Sequence, residues 1–335
     1  MTAERLDHFM ARANAIYYST HDPFADFTTS PEISQVFGEL IGAWAAYNWQ
    51  HLGRPDPVLL VEAGPGRGTL MADVLRAARS VMPAFATALR VHLIETSARL
   101  RAAQAARVPM ATWHDSLDSV PTGPMILLAN EFLDALPIRQ FVRRAGGWTE
   151  RFVLDGAWLE RPADRTAVPA ERRAAVGQVV EVNEAARAFV GAVAERVRRD
   201  RGVGLLVDYG PERSAAGVSL QAIAQARPVD PLSPPGTADL TAHVDFADLA
   251  LVARAAGASV QGPVTQGAFL AELGLFKRTE VLARERPVKQ AAALRDGALR
   301  LAEPRAMGEL FNVMVVAFAG CPALPGMPGV PDGIS

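Results

Sequence analysis

The stretch from residue 58 to residue 70 constrains the fold of this chain more than any other. It begins as an apolar run, Val-Leu-Leu-Val-Glu-Ala, and continues through glycines at alternate positions, Gly64, Gly66 and Gly68, before a second apolar segment begins. Glycine permits a sharp backbone turn and lets a ligand approach where a Cβ atom would collide. A buried strand, a glycine turn and a helix with unpaired N–H groups form the first half of a nucleotide-binding βαβ unit.

Composition narrows the class of protein. The chain has 335 residues, a net charge of −2 and a single cysteine, Cys321. This length fits one large domain with insertions or two domains. The near-neutral charge predicts neither a nucleic-acid partner nor an anionic membrane surface. One cysteine excludes an intramolecular disulfide, and the histidines lack ligand-like spacing, so we expect no metal site.

The N-terminal residues are too polar for a signal peptide, and the apolar runs fall short of the ~20 residues of a membrane span. We therefore expect a cytoplasmic protein without a membrane span. The sequence leaves the oligomeric state open.

Strand-length apolar runs alternate with segments of helical period, which predicts an α/β doubly wound sheet. The predicted strands cover residues 58–63, 89–95, a short third segment that reaches residues 113–117, a fourth strand at 124–129, a fifth at 204–210 and a final strand at 310–318. The predicted helices lie near residues 4–18, 31–52, 70–78, 97–107, 184–199, 245–256, 267–275 and 288–301. Residues 138–160 have the period of a β-hairpin with a second turn at Asp155 and Gly156, whereas residues 211–242 are predicted to be irregular.

This order of elements predicts one core with additions. The N-terminal part is expected to be a helical lid, the insertion a β-hairpin plus a helix on the substrate side, and the C-terminus a flexible tail. The predicted boundaries are 1–54 for the lid, 55–137 and 200–320 for the Rossmann-like core, 138–199 for the insertion, 211–242 for a loop in the substrate-side cap, and 321–335 for the tail.

Polar side chains end the predicted strands: Glu62, Glu95, Asp115, Asn130, Glu131 and Asp208. Ligands of an open α/β sheet bind beyond the carboxyl ends of its strands. An acid ending the second strand, as Glu95 does, is placed to accept hydrogen bonds from ribose hydroxyls. Asp115, Ser116 and Leu117 follow the third strand and are candidates for the adenine end, where Asp115 would accept from the amino group.

The charges around the glycine turn favour one nucleotide cofactor over another. The pattern Gly-Pro-Gly-Arg-Gly differs from the Gly-x-Gly-x-x-Gly of dinucleotide sites, because Thr69 replaces the third glycine. Glu62, Glu95 and Glu131 would repel a pyrophosphate and attract a sulfonium and an ammonium group. We therefore predict S-adenosylmethionine as the cofactor. The disfavoured alternative is that the protein binds NAD and is an oxidoreductase.

Several long motifs carry a family resemblance. They lie at residues 22–24, 26–40, 62–70, 130–137, 208–210, 239–246 and 307–311. These motifs resemble the MidA family, which includes the mitochondrial complex I assembly methyltransferase, and the resemblance spans roughly residues 15–320. It implies a class I methyltransferase with a seven-stranded sheet whose last strand is antiparallel. The mitochondrial members imply a protein arginine, in a complex I subunit, as the methyl acceptor.

Two stretches depart from the family pattern. Only Ala25 separates the Asp-Pro-Phe and Asp-Phe elements, where the family has a longer glycine-containing loop. The Leu-Gln-Ala element at 220–222 is followed by Gln225, Ala226 and Arg227 instead of a histidine-rich pattern. Both differences concern substrate recognition.

The residues after the fourth strand are the candidates for catalysis. A guanidinium nucleophile has delocalised lone pairs, so carboxylates must orient it and stabilise its developing charge. We expect Glu131 and Asp134 to bind the acceptor nitrogen, Asn130 to serve catalysis and the cofactor, and Phe132 to border the acceptor. Capping of the following turn is the alternative role for Asp134.

Residues before the glycine turn are expected to fold over the site as a lid that contacts substrate: Asp26, Phe27, Ser30 and Glu32. The alternative is a packing loop with a capped helix, in which Thr29 and Glu32 form a capping box or Ser30 caps with Pro31 at the first position. His243, with Asp245 nearby, is either a base or substrate contact or a structural histidine.

The predicted function is therefore protein-arginine methylation, with a protein substrate as the partner. A second possibility is a scaffold that binds S-adenosylmethionine and helps assemble a complex without catalysis.

Overall fold

A seven-stranded sheet forms the centre of the molecule. The computed structural model describes residues 2–21, 28–169 and 172–327, and strands and helices are numbered along the chain. The central strands are β2 Val58–Ala63, β3 Leu89–Ile94, β4 Thr112–His114, β5 Met125–Asn130, β10 Gly202–Tyr209, β14 Ser259–Thr265 and β15 Phe311–Ala317. Their order across the sheet is β14-β15-β10-β5-β2-β3-β4.

The strand directions confirm the predicted fold class. Five neighbouring strands of this sheet, β4, β3, β2, β5 and β10, pair in parallel. Strand β15 runs antiparallel to both β10 and β14. All six residues of β2 are buried, because helices cover both faces of a parallel sheet. The carboxyl ends of the parallel strands consequently meet at one edge.

Two apolar cores separate the sheet from its helices. One contains Val58, Leu60 and Ile126 of the sheet; the other contains the alternate residues Leu59, Val61 and Leu127, as the two-residue period of a strand requires. The helices of the first face are α3 Gln35–His51, α4 Thr69–Val81, α5 Pro83–Ala88, α9 Gln266–Glu272, α10 Leu275–Arg284 and α11 Val288–Ala302. The second face packs against α7 Glu184–Asp200 and α8 Phe246–Ala255, and α6 Ala98–Arg107 lies beside the glycine turn.

The predicted β-hairpin is part of a larger inserted sheet. A third strand follows the predicted turn at Asp155 and Gly156, where both residues have positive φ. Two further short strands complete the sheet. Its members are β1 Glu4–Arg5, β6 Arg139–Arg144, β7 Gly147–Leu154, β8 Ala157–Pro162 and β9 Val179–Val182.

One sequence-based prediction about regular structure was wrong, and one strand of the central sheet was missed. Residues 211–242 are not all irregular, since they contain a small sheet of β11 Gln221–Ala224, β12 Arg227–Val229 and β13 Asp239–Thr241. Strand β14 was not predicted, because Gly262 and Pro263 interrupt its pattern; in the structure the register shifts there between Gln261 and Val264, which lets the strand continue past a residue without an N–H donor.

The N-terminal helix and the tail are both packed. Helix α1 Leu6–Thr20 buries Leu6 and Met10 in a third core, against Ile138 of the insertion and Leu240 of the small sheet. The prediction of a flexible tail is wrong for residues 321–327, because Leu324 and Met327 are buried in the first core. Across the described residues, none of the helices has the length and apolar character that crossing a membrane requires.

Candidate functional site

The glycine turn after β2 has the geometry predicted for it. Gly64, Gly66 and Gly68 have φ values of +65°, +53° and +80°, which L-residues with a Cβ rarely adopt. The Gly64 N–H donates to the carbonyl of Ile94 at 3.1 Å, and the Gly68 N–H donates to that of Pro65 at 2.7 Å. Helix α4 therefore begins directly behind the strand end.

A cavity of ≈ 680 Å³ opens beside this turn, and we call it the main cavity. Its lining comes from the ends of β2, β3 and β5, from α1 and from the segment before α3. The predicted site residues among its lining are Glu32, Glu62, Gly64, Gly66, Glu95, Asp115, Asn130, Glu131 and Phe132. The sheet edge thus brings together side chains that lie up to a hundred residues apart in the sequence.

Glu62 is the most deeply buried carboxyl group of the main cavity. Its exposed fraction is 3%, and burial raises its pKa to about 8, although the Met71 N–H opposes the shift. Its Oε2 atom is buried and has no hydrogen-bond partner among the described residues. A buried acceptor without a partner costs free energy, so a cationic ligand group would stabilise this site.

Glu95 and Asp115 line the main cavity with different surroundings. The Glu95 carboxylate accepts from the Ser97 N–H at 2.7 Å and from Gln104 Nε2 at 3.3 Å, and burial raises its pKa. Asp115 is exposed and forms an ion pair with Arg101 at 2.6 Å. Both residues line the main cavity, and their contacts with ribose and adenine stay predictions.

Three predicted cofactor residues do not line the main cavity in the described structure. Gly68 is the residue before α4, and its Cα faces Gln104. Ser116 is exposed beside the cavity. Leu117 is 5% exposed and packs in the second apolar core, because an apolar side chain at the start of a tight turn is more stable beneath the sheet than in a polar cavity.

Glu131 has a strained backbone. Its φ is +50°, and such a conformation costs of the order of 1–3 kcal/mol for a residue with a Cβ. The Glu131 N–H donates to the carbonyl of Val207 at 2.8 Å. Its Oε1 atom accepts from the Ser30 N–H at 2.8 Å and from Asn130 Nδ2 at 3.0 Å. Asn130 Oδ1, which is buried, has no hydrogen-bond partner in the described part of the chain.

A second cavity of ≈ 370 Å³ lies on the other side of Glu131, and we call it the acidic cavity. Glu131 lines both cavities. Three carboxyl groups and two tyrosines contribute to the acidic cavity, with Arg300 as a cationic neighbour: its lining includes Tyr18, Glu131, Asp134, Tyr209, Asp239, His243 and Arg300.

Asp134 belongs to the acidic cavity and not to a helix cap. Its exposed fraction is 7%, and it lines the acidic cavity together with Tyr209. Burial, and then the charges of Asp208, Asp239 and Glu131, raise the pKa of Asp134 well above its ordinary range. Its side chain therefore faces a place where a cation would be stabilised.

His243 and Asp245 are separated in the structure. His243 lines the acidic cavity, and its ring centroid lies 5.5 Å from that of Tyr209 in an edge-to-face arrangement. Asp245 instead caps α8 by accepting from the Asp248 N–H at 3.0 Å, and it pairs with Arg172. Asp245 is thus engaged elsewhere, and the two residues do not form a pair.

The segment before α3 spans the two cavities, and neither predicted cap is present. Glu32 accepts from the Thr69 hydroxyl at 2.5 Å instead of closing a capping box. Helix α2 Ser30–Ile33 begins with Ser30 inside it, and Thr29 makes no side-chain cap. Asp26, Phe27 and Ala25 lie outside the described residues.

Sequence reasoning missed several contributors to the site. Asn14 of α1 donates to the carbonyls of Ala135 and Leu240. Tyr18 donates to Asp239 at 2.8 Å. Asp239 and Tyr209 lay within family motifs, which could have identified them, whereas a polar side chain on an amphipathic helix carries no such signal. Among residues 2–21, 28–169 and 172–327, no cluster of three potential metal ligands occurs.

Comparisons with known proteins identify a family and several relatives that are similar to this chain. The model of a family of S-adenosyl-L-methionine-dependent methyltransferases matches residues 40–264. The chain is 34% identical over 361 residues to the mitochondrial protein arginine methyltransferase NDUFAF7 homolog of Drosophila melanogaster, covering 94% of this chain and 80% of that relative. It is 33% identical over 348 residues to mitochondrial protein arginine methyltransferase NDUFAF7 of Homo sapiens, covering 92% and 78%.

A solved structure is similar over nearly the whole chain. It is a COG1565 superfamily member from Burkholderia thailandensis bound to S-adenosyl-homocysteine, with a TM-score of 0.78 and 25% identity. The similarity covers 97% of this chain and 90% of that one.

Proposed function

The chain belongs to the family of S-adenosyl-L-methionine-dependent methyltransferases, as the MidA motifs predicted, and from that premise we propose that it methylates an arginine of a protein substrate. The observation that carries this proposal is the position of Glu131 between the main cavity and the acidic cavity. The names of the relatives, which are protein arginine methyltransferases, support it. By the family resemblance, a respiratory complex I subunit is the candidate substrate.

The residues of the main cavity fit S-adenosylmethionine. Glu62 Oε2 and Asn130 Oδ1 are buried acceptors without partners among the described residues, and cationic or N–H groups of the cofactor would satisfy them. Glu95 would bind the ribose hydroxyls. A methyl group on sulfonium is electrophilic, and this is what the cofactor supplies when bound.

The acidic cavity fits the acceptor. A guanidinium group is a permanent cation with five N–H donors, and Glu131, Asp134 and Asp239 surround the cavity with carboxyl groups. These groups would turn one guanidinium nitrogen towards Glu131 and the main cavity. Methyl transfer would form a nitrogen–carbon bond as the carbon–sulfur bond of the cofactor breaks, and the methylated guanidinium would then release one proton. The carboxyl groups of this cavity are placed to accept that proton.

Replacement of Glu131 by glutamine tests this assignment. We expect methyl transfer to fall by about 10²–10³-fold, the scale of losing one stabilising group in an active site. Binding of S-adenosylhomocysteine, followed by titration calorimetry, should change little, because Glu62 and Glu95 remain. Glu150→Gln is the control, since Glu150 is buried in the inserted sheet and pairs with Arg139. Unchanged transfer by Glu131→Gln would contradict the assignment.

A radiolabelled transfer assay separates an enzyme from a scaffold. Wild-type protein with methyl-labelled cofactor should label protein in a cell extract. A protein that binds the cofactor but labels none of the proteins in the extract would fit the scaffold alternative instead.

A further inference from the structure

Asp208 ends β10 and lies beneath the turn that carries Glu131. Its side chain is 1% exposed, and it is not among the described residues that line either cavity. One carboxylate oxygen, Oδ2, accepts from the backbone N–H groups of Phe132, Leu133 and Asp134 at 3.1, 2.8 and 3.3 Å. The other, Oδ1, accepts from the Tyr209 N–H at 2.9 Å.

The turn needs such an acceptor. Three consecutive N–H groups that point to one place form a concave anion site, and buried N–H groups are rarely left unpaired. A carboxylate is a stronger acceptor than a neutral group. Glu131 enters this turn with a φ of +50°, and such a conformation persists only where the surrounding structure enforces it. The Asp208 carboxylate satisfies the turn on the side away from the cavities.

The opposite side of the turn is held through its carbonyl groups. Asn183 Nδ2 donates to the carbonyls of Leu133 and Leu136 at 3.3 and 3.0 Å. Asp208 therefore fixes the N–H groups of the turn, and Asn183 fixes its carbonyl groups. Between them, the backbone from Glu131 to Leu136 has few free hydrogen-bonding groups with which to rearrange.

We propose that Asp208 is a positioning residue for methyl transfer, which sets the places of Glu131 and Asp134 without touching the acceptor. This inference rests on the proposed function, because it takes the acceptor to bind at these two carboxyl groups. The motif Asp208-Tyr209-Gly210 thereby acquires a role: its first residue holds the turn, and its second lines the acidic cavity beside Asp134.

The ionised form of Asp208 is the form that holds the turn. Burial and the charge of Glu131 raise the pKa of Asp208 to about 7, and the N–H groups of Tyr209, Leu133 and Asp134 oppose that rise. Asp208→Asn keeps the size of the side chain but replaces one acceptor oxygen by an NH₂ donor. Because the NH₂ group cannot accept a hydrogen bond, the variant must lose either the N–H donors of the turn or the N–H donor of Tyr209.

The test compares Asp208→Asn with Asp248→Asn at pH 8. Asp248 is a matched control, because it is 4% exposed and pairs with Arg187 away from both cavities. We expect Asp208→Asn to slow methyl transfer from labelled S-adenosylmethionine to extract protein by about 10²-fold, the effect of misplacing a catalytic group by about 1 Å. Its affinity for S-adenosylhomocysteine, measured by calorimetry, should stay within about twofold, since the main cavity is retained.

Hydrogen exchange provides a readout that does not depend on the substrate. Peptides covering residues 131–135 should exchange faster in Asp208→Asn than in wild type, and Asp248→Asn should leave them unchanged. If Asp208→Asn does not fold, Asn183→Ala should show the same separation of rate from affinity with a smaller effect. Wild-type rates in Asp208→Asn, or a parallel loss of rate and of S-adenosylhomocysteine affinity, would overturn the inference. Labelling of a residue other than arginine would instead overturn the proposed function.

Discussion

At the residue scale, we expect Glu62 to couple cofactor binding to pH. Burial raises the pKa of the free carboxyl group to about 8, and a cationic cofactor facing it would lower that pKa in the complex. The group must then lose its proton on binding at any pH below 8. Affinity for S-adenosylmethionine should therefore rise with pH between 6 and 8, by up to about tenfold per pH unit, and level off above 8.

Calorimetry of wild type and Glu62→Gln measures this coupling. The wild type should release a proton on binding, visible as a dependence of the heat on the buffer, and Glu62→Gln should release less. Binding by the wild type that is independent of pH from 6 to 8 would show that Glu62 does not face the charge of the cofactor.

Gly64 is expected to tolerate no side chain. A Cβ atom there would lie 2.7 Å from Phe132 Cδ2, at a φ of +65°. Gly64→Ala should lower the free energy of unfolding through backbone strain at the positive φ, and overpacking against Phe132 should lower it by about 1–3 kcal/mol more. The same substitution should weaken S-adenosylhomocysteine binding. Gly53→Ala separates the two effects, because Gly53 also has positive φ but no atom lies within 4 Å of its Cβ position. Equal losses of stability in the two variants would contradict the clash with Phe132.

At the residue scale, the sequence predicted which carboxyl groups lie at the cavities better than it predicted the other polar side chains around them. Glu62, Glu95 and Glu131 were recognisable because parallel strands bring their carboxyl ends to one edge. Tyr18 and Asn14 were not, because they reach the cavities from a helix whose position depends on long-range packing. Leu117 was misplaced because sequence proximity to Asp115 does not show which way a turn directs its side chain.

At the element scale, the contact between Glu32 and Thr69 joins α2 to the helix behind the glycine turn. Thr69→Val removes a hydroxyl that donates to a carboxylate at 2.5 Å. We expect a loss of about 1–3 kcal/mol in the free energy of unfolding and faster cofactor dissociation in stopped-flow measurements. Thr279→Val is the control, because its buried hydroxyl has no hydrogen-bond partner in the described residues; that variant should be neutral or more stable. Wild-type behaviour of Thr69→Val would mean that the contact does not hold α2 in place.

Glu39 joins three helices. It is 7% exposed and accepts from Arg76 of α4 at 2.6 Å and Arg278 of α10 at 2.7 Å. Burial would raise its pKa, but the two arginines outweigh burial and lower it. Its stabilising contribution is therefore present above the ordinary pKa of a glutamate and is lost as the pH falls through the lowered value.

Denaturant titrations at pH 7 and pH 3 test the role of Glu39. Glu39→Gln should lose about 1–3 kcal/mol at pH 7, and the difference from wild type should shrink at pH 3. Glu280→Gln, which removes an exposed pair with Arg295, should change stability little at either pH. A difference between wild type and Glu39→Gln that does not depend on pH would contradict an ionised Glu39.

The strands that the sequence failed to predict are short or irregular. Strand β14 contains a Gly-Pro pair, and the small sheet uses strands of three or four residues. Such strands carry too few residues to show an alternating pattern, and their pairing comes from residues distant in sequence. The long apolar strands β2 and β5 were predicted because their burial on both faces requires continuous apolar sequence.

At the scale of the whole molecule, three cores meet around the site. The first two lie on opposite faces of the central sheet, and the third joins α1, the inserted sheet and the small sheet. The central sheet provides the main cavity, and the small sheet provides Asp239 and Thr241 of the acidic cavity. The overall fold was predictable from motifs, but the acidic cavity was not, because it depends on how the additions pack against the core.

The identity of the methylated residue tests the central proposal most directly. Wild-type protein, methyl-labelled S-adenosylmethionine and cell extract are incubated, and the labelled protein is hydrolysed to amino acids and separated. The label should appear in methylarginine with the wild type and be nearly absent with Glu131→Gln. Label in methyllysine or another residue, or equal methylarginine from both proteins, would contradict an arginine acceptor held by Glu131.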